Sequence, residues 1–269
     1  MLRQRVTTAI VVLLVFLPGL WLLPNAWWAV LSAVVVVAGA WEWAGLAAFP
    51  PGHRMLFAGL VAGSCLALLP LTGGEPVPWM NVLWAGATVF WVLLALPWIV
   101  RRFHWRQPLV LAIAGWLVLV PAWLAVVFFQ RMPLLLLAVM AVIWIADTAA
   151  YFAGRRFGRR RLAPLVSPGK TWEGVIGACA GVLLYWALLT LPSYSSMPDL
   201  GQWRVLLTFV AMTGLGILGD LFESWMKREA GVKDSGAMLP GHGGVLDRID
   251  ALVAALPLAA LASVLLWNP

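Results

Sequence analysis

The stretch PGHGGVLDRID, Pro240 to Asp250, decides how this chain is read. It gathers three glycines, a histidine, an arginine and two aspartates between two strongly apolar runs. Upstream lies GLGILGDLFESWMKR (Gly214 to Arg228), charged mainly toward its end. Downstream lies ALVAALPLAALASVLL (Ala251 to Leu266), which has no charge. Two apolar runs of this kind around a polar loop make a membrane hairpin, since about 20 apolar residues cross the hydrocarbon.

The rest of the chain supports that reading. Its 269 residues are 63% hydrophobic and only 11% charged, with a mean hydropathy of +0.93. A soluble domain carries about a quarter charged residues, so the solvent for most of this chain is lipid. The expected class is an all-α, polytopic membrane protein with about nine transmembrane helices, over 6–23, 26–49, 55–71, 79–100, 108–129, 133–153, 174–191, 204–222 and 249–267. PGHR (Pro51 to Arg54) reads as a short turn. The opening MLRQR with its apolar run resembles the start of a signal peptide. No small-residue cleavage site follows in WLLPNAWW, so an uncleaved helix is expected. Cys65 and Cys179 both lie in apolar runs and read as packing residues.

Basic residues orient the spans. With the N-terminus in the cytoplasm, 16 of the 18 Lys and Arg fall on the inner side, leaving Arg131 and Arg204 outside. The positive-inside rule therefore favours this orientation and places the polar loops 154–173 and 223–248 in the cytoplasm. The net charge of +7 then belongs to inner loops, with no nucleic-acid partner expected. The 18 tryptophans fit interfacial anchoring, apart from central ones such as Trp116. Two regions follow: 1–153 with about six spans, and 154–269 with both polar loops and about three spans.

Carboxylates in spans are informative, because a charge at mid-helix costs about 2.5–3.5 kcal/mol on insertion scales. Glu42, Asp147 and Asp220 fall in or near span ends. Glu42, in WEWAG, reads equally as a residue reaching water or as one with an inner partner. Asp220, Ser224 and Lys227 share one helical stripe, and Asp247 and Asp250 share a face at the start of the last span. In GLGILGD, small residues allow close helix approach. In PGHGG, consecutive glycines can turn N–H groups toward an anion. Lys227, Arg228, Lys233, His242 and Arg248 add donors for phosphates, and the nearby acids suit Mg²⁺. The mixture points to a metal–nucleotide site. SPGKTWEG (Ser167 to Gly174) adds hydroxyls, one lysine and a helix start. It is not a P-loop, because proline stands at 164 and no strand is expected before it. GRRFGRRR, just before it, reads as the positive-inside signal and as an attractor of anionic lipid.

SWMKREAGVKDSGAMLPGHGGVLDRID (Ser224 to Asp250) resembles the signature of the phosphatidate cytidylyltransferases, or CDP-diglyceride synthetases, at every fixed position. SPGKTWEG resembles a second element of that family, with Gly169 where many members carry lysine. The span layout, including an early WEW, is similar over essentially the whole chain. The resemblance implies transfer of CMP from CTP to phosphatidic acid, giving CDP-diacylglycerol and pyrophosphate. It implies Mg²⁺, with room for a second cation, and a homodimer in the cell (inner) membrane whose site faces the cytoplasm.

It also implies roles. Asp220, Asp247 and Asp147 would serve metal. Lys227, Arg228, Lys233, Asp234, His242, Arg248 and Asp250 would serve phosphate and charge handling. Ser167, Lys170, Thr171, Ser224, Gly243 and Gly244 would bind substrate. Competing readings are a CTP-dependent polyprenol or dolichol-type lipid kinase and an ion-coupled transporter. The full signature disfavours the first. The one-sided clustering of acids, without an internal repeat, disfavours the second.

Overall fold

A computed structural model describes residues 2–72, 77–104, 107–191 and 199–267, without the side chains of 2–5, 199, 200 and 267. The side chains of Arg3, Arg5 and Arg106 therefore lie outside the description. Ten α-helical segments run in chain order: α1 (Leu2–Leu22), α2 (Asn25–Leu46), α3 (Pro51–Leu68), α4 (Pro78–Val89), α5 (Leu96–Arg101), α6 (Pro108–Phe129), α7 (Pro133–Phe157), α8 (Trp172–Leu189), α9 (Asp199–Glu229) and α10 (Leu246–Ala262). A π-helical stretch, Phe90–Ala95, joins α4 and α5 into one rod, so nine rods result among the described residues. Eight are long and apolar enough to cross a membrane, and the apolar part of α1 is Val6–Leu22. The protein is an all-α, polytopic membrane protein. Such runs must be helical, because lipid offers no partner to an unpaired backbone N–H or C=O.

Proline sets several boundaries that apolarity leaves open. It stands at the start of α3, α4, α6 and α7, where its missing N–H costs nothing. Pro51–Arg54 is thus the first turn of α3, not a loop. The second correction is a hairpin: β1 (Arg161–Ala163) pairs antiparallel with β2 (Ser167–Thr171), so SPGKT is itself a strand and another precedes it. The third concerns α9, which continues past the expected end at 222 to Glu229.

Tryptophan does more inside the bundle than the interfacial reading allows. Trp28, Trp43, Trp84, Trp91 and Trp123 are fully buried. Trp28 donates its Nε1–H to the carbonyl of Val126, Trp123 to that of Ala29, and Trp43 to that of Leu111, at 3.3, 3.0 and 2.9 Å. These bonds tie α2 to α6. Trp116 donates to Ser64 Oγ at 2.9 Å and brings in α3. Elsewhere small residues make the contact. Gly177 and Gly181 of α8 pack on Ala149 and Ala153 of α7, and Gly219 of α9 packs on the backbone of Asp250 in α10. The close-packing reading of GLGILGD is therefore the structural one for Gly219. It brings the acidic ends of α9 and α10 together.

Candidate active site

The two polar loops meet on one side of the bundle. Arg228, near the end of α9, donates from Nε to the carbonyl of Val166 in the hairpin turn, at 3.3 Å. Lys170, on β2, places Nζ 2.6 Å from Asp220 Oδ2 on α9. Ser224, one turn beyond Asp220, donates weakly to its Oδ1 at 3.4 Å. A cavity of about 660 Å³ opens beside this pair. Asp147, Tyr151 and Arg155 of α7, Arg161, Gly169 and Thr171 of the hairpin, and Lys170 with Asp220 line it. Thr171 has a local duty as well: its Oγ1 accepts from Gly174 N at 3.1 Å and caps α8. Glu173 accepts from the backbone N–H groups of Arg159 and Arg160 at 3.1–3.3 Å. That leaves the basic side chains of this segment exposed.

A second knot lies at the start of α10. Lys227 Nζ sits 2.5 Å from Glu223 Oε2 and 2.7 Å from Asp247 Oδ1. The other oxygen of Asp247 accepts from Ser235 N at 3.0 Å and from Gly244 N at 2.8 Å. Glu42 of α2 is only 3% exposed. Its carboxylate accepts from Val245 N, Leu246 N and Ser235 Oγ, at 3.0, 2.8 and 2.9 Å. Within the glycine-rich loop Gly244 turns its N–H toward an anion, and Val245 and Leu246, just beyond it, do the same. The anions bound there are two carboxylates of the protein itself. Gly243 has φ +81°, a left-handed conformation that favours glycine. At Gly244 the space of a Cβ is filled by Glu42 and Ser235 Oγ.

The structure thus gathers Asp147, Lys170, Thr171 and Asp220 at one cavity, and Lys227 and Asp247 in the adjoining knot. The two are linked, because Asp220 lies within electrostatic reach of both Asp147 and Asp250, and Asp250 within reach of Glu223 and Lys227. Other residues fall outside this group of contacts. Arg248 spends its guanidinium on the carbonyl of His242, at 3.0 and 2.7 Å, and so fastens the loop. Among the described residues, His242 Nδ1 is buried without a partner. Lys233 and Asp234 are exposed on the loop, and Ser167 begins β2. Glu223, Arg155 and Arg161 escaped the sequence reading. Glu223 stands four residues before Lys227, the spacing of a helical ion pair, and that was the available signal. Arg155 and Arg161 were hidden within a basic run that orients the spans.

Five carboxylates (Asp147, Asp220, Glu223, Asp247, Asp250) share this region with Lys170, Lys227, Arg155 and Arg161, so oxygen ligands for a cation stand beside donors for phosphate. Among the described residues, no three His, Cys, Asp or Glu side chains converge as a ready cage. That donor set fits Mg²⁺, which commonly takes one or two carboxylates and completes its shell with water and substrate phosphate.

Fold and site together describe a polytopic membrane protein in which a polar hairpin and the ends of neighbouring spans enclose a mixed-charge cavity. The cytidylyltransferase family profile matches residues 3–266. A phosphatidate cytidylyltransferase of Pseudomonas aeruginosa is 43% identical over 272 residues, covering 99% of this chain and 97% of its own. One from Haemophilus influenzae is 35% identical over 96% of each chain. One from Thermotoga maritima is 45% identical over 125 residues, 46% of each. The chain belongs to the cytidylyltransferase family.

Proposed function

We propose that this protein transfers CMP from CTP to phosphatidic acid, giving CDP-diacylglycerol and pyrophosphate for phospholipid synthesis. The observation that carries the reading is the cavity where Lys170 meets Asp220, within a chain of this family. It lies where helix ends meet polar loops, the depth at which a lipid phosphate and a water-soluble triphosphate can both arrive.

The chemistry needs no protein nucleophile. An oxygen of the lipid phosphate attacks the α-phosphorus of CTP, the bond to the β-phosphate oxygen breaks, and pyrophosphate leaves. The protein must align the two phosphates and offset their charge. Lys170, Arg155 and Arg161 supply cations at the cavity. Lys227 holds Asp247 in place, and Ser235 N and Gly244 N fix its second oxygen. Asp220 and Asp147, which line the cavity, would hold Mg²⁺, with Asp247 of the adjoining knot as a further ligand once Lys227 turns to phosphate. When bound, that ion neutralises phosphate oxygens and eases departure of pyrophosphate.

We place the protein in the inner membrane with this site toward the cytoplasm, on the strength of the basic-residue count. A homodimer belongs to the same reading. Gly59 and Gly63, one turn apart on α3, face open space for 4 Å around the point where a side chain would begin, and so leave room for a second helix. The test is direct: purified protein given CTP, phosphatidate and Mg²⁺ should form CDP-diacylglycerol, identified by mass. A protein that binds both substrates and forms none would overturn the reading.

A further inference from the structure

We infer that Glu42 is a positioning residue for the reaction: it fixes the start of α10 and, through Ser235, the carboxylate of Asp247. The consequence for turnover rests on the cytidylyl-transfer reading; the geometry does not.

A buried carboxylate is costly unless its oxygens are satisfied. Glu42 is 3% exposed, and among the described residues no Lys, Arg or His lies within ion-pair distance of it. Its compensation comes from α10. The first N–H groups of a helix have no partner within the helix and sit at its positive dipole end. Here Glu42 Oε1 takes Val245 N and Oε2 takes Leu246 N. A carboxylate from a distant span therefore fills the anion-binding position that a phosphate would otherwise find at this helix start. The phosphates are left to the cavity beside Lys170.

Ser235 carries the effect onward. Its Oγ donates to Glu42 Oε2 and its N–H donates to Asp247 Oδ2, at 2.9 and 3.0 Å. Gly244 closes the unit. Its N–H donates to Asp247, and its missing side chain is the space that Glu42 enters. Glu42, Ser235, Gly244 and Asp247 thus form one connected group, and only Asp247 turns its other oxygen to Lys227. Loss of the Glu42 charge should release Ser235 and misorient Asp247, while the cavity at Lys170 keeps its form.

Glu42→Gln tests this, since it keeps the size but turns an NH₂ toward donors. Rates are measured against Mg²⁺, CTP and phosphatidate in turn, and amide hydrogen exchange is followed over 240–250. The Mg²⁺ concentration for half-maximal rate should rise and kcat should fall, each within the roughly 10–100-fold typical of groups that orient metal ligands. KM for CTP should stay within about twofold, because its grip lies elsewhere. Exchange at Val245 and Leu246 should quicken. Ser235→Ala, which removes one bond and keeps the backbone N–H, should shift the Mg²⁺ response in the same direction by less. A lower kcat with an unchanged Mg²⁺ response reports only fewer folded molecules and overturns the inference. So does an unchanged Mg²⁺ response in Ser235→Ala if Glu42→Gln does not fold. Should the wild type form no CDP-diacylglycerol, the activity reading falls. The exchange data then decide alone, and protection in Glu42→Gln equal to wild type overturns the inference.

Discussion

Lys170 and Asp220 meet at 2.6 Å, and their contact joins the β-hairpin to a membrane-spanning helix. Only about a quarter to a third of each side chain is exposed. The lysine is held at the cavity wall, where a triphosphate would take up its charge in place of Asp220.

Lys170→Ala should therefore cost turnover more than stability. A charge-assisted bond at a partly wet site contributes about 1.5–3 kcal/mol, or roughly 10–150-fold in rate. The check is kcat/KM for CTP at saturating phosphatidate, with melting temperature in detergent as control. Wild-type kcat/KM would remove Lys170 from the site.

Asp220→Asn and Asp247→Asn should each lose at least about 10²-fold, as expected when a metal's charge stabilisation is removed. The double variant should lose little more than one alone, because on the proposed reading both act through one ion. Losses that multiply, each with an unchanged Mg²⁺ response, would separate the two aspartates.

Gly219 predicts a stability effect. A side chain there would meet the carbonyl oxygen of Asp250 and the Cβ of Ala254, forcing α9 and α10 apart. Gly219→Leu should lower the melting temperature, in line with about 1–3 kcal/mol for overpacking. Gly214→Ala, on the same helix with open space beside it, should leave it unchanged or raise it slightly. Equal melting temperatures for Gly219→Leu and wild type would contradict this packing.

Orientation can be read with single cysteines at Ala237, exposed on the loop, and Met132, exposed between α6 and α7. Cys65 and Cys179 are replaced first. An impermeant thiol reagent added outside intact cells should label position 132 and spare 237; the reverse pattern would invert the protein.

The spans were legible because apolar length is a property of one segment at a time. So was the depth of the site, since Asp220, Lys227 and Asp247 advertise themselves as charges at span ends; the contacts of the first loop with α9, through Lys170 and Val166, were not. Nor were other contacts across long sequence distances. No local pattern links Glu42 to Val245 and Leu246, so its partner could not be named. The hairpin was concealed because its strands are three and five residues long and include Pro168 and Gly169. The buried tryptophans were missed for a related reason. Helices that are apolar on every face carry no periodicity to show which indoles turn inward. The glycine loop was expected to offer N–H groups to substrate phosphate; Gly244 N instead meets Asp247, and sequence cannot show that the protein supplies the anion.

The central claim is that the α-phosphorus, with its CMP, moves to the lipid. It is tested most directly by following labelled phosphorus from CTP with phosphatidate as acceptor. Label in the α-phosphate should appear in the lipid product, and label in the γ-phosphate in pyrophosphate. Label from the γ-phosphate in the lipid, with CDP released, would make this protein a lipid kinase and contradict the account.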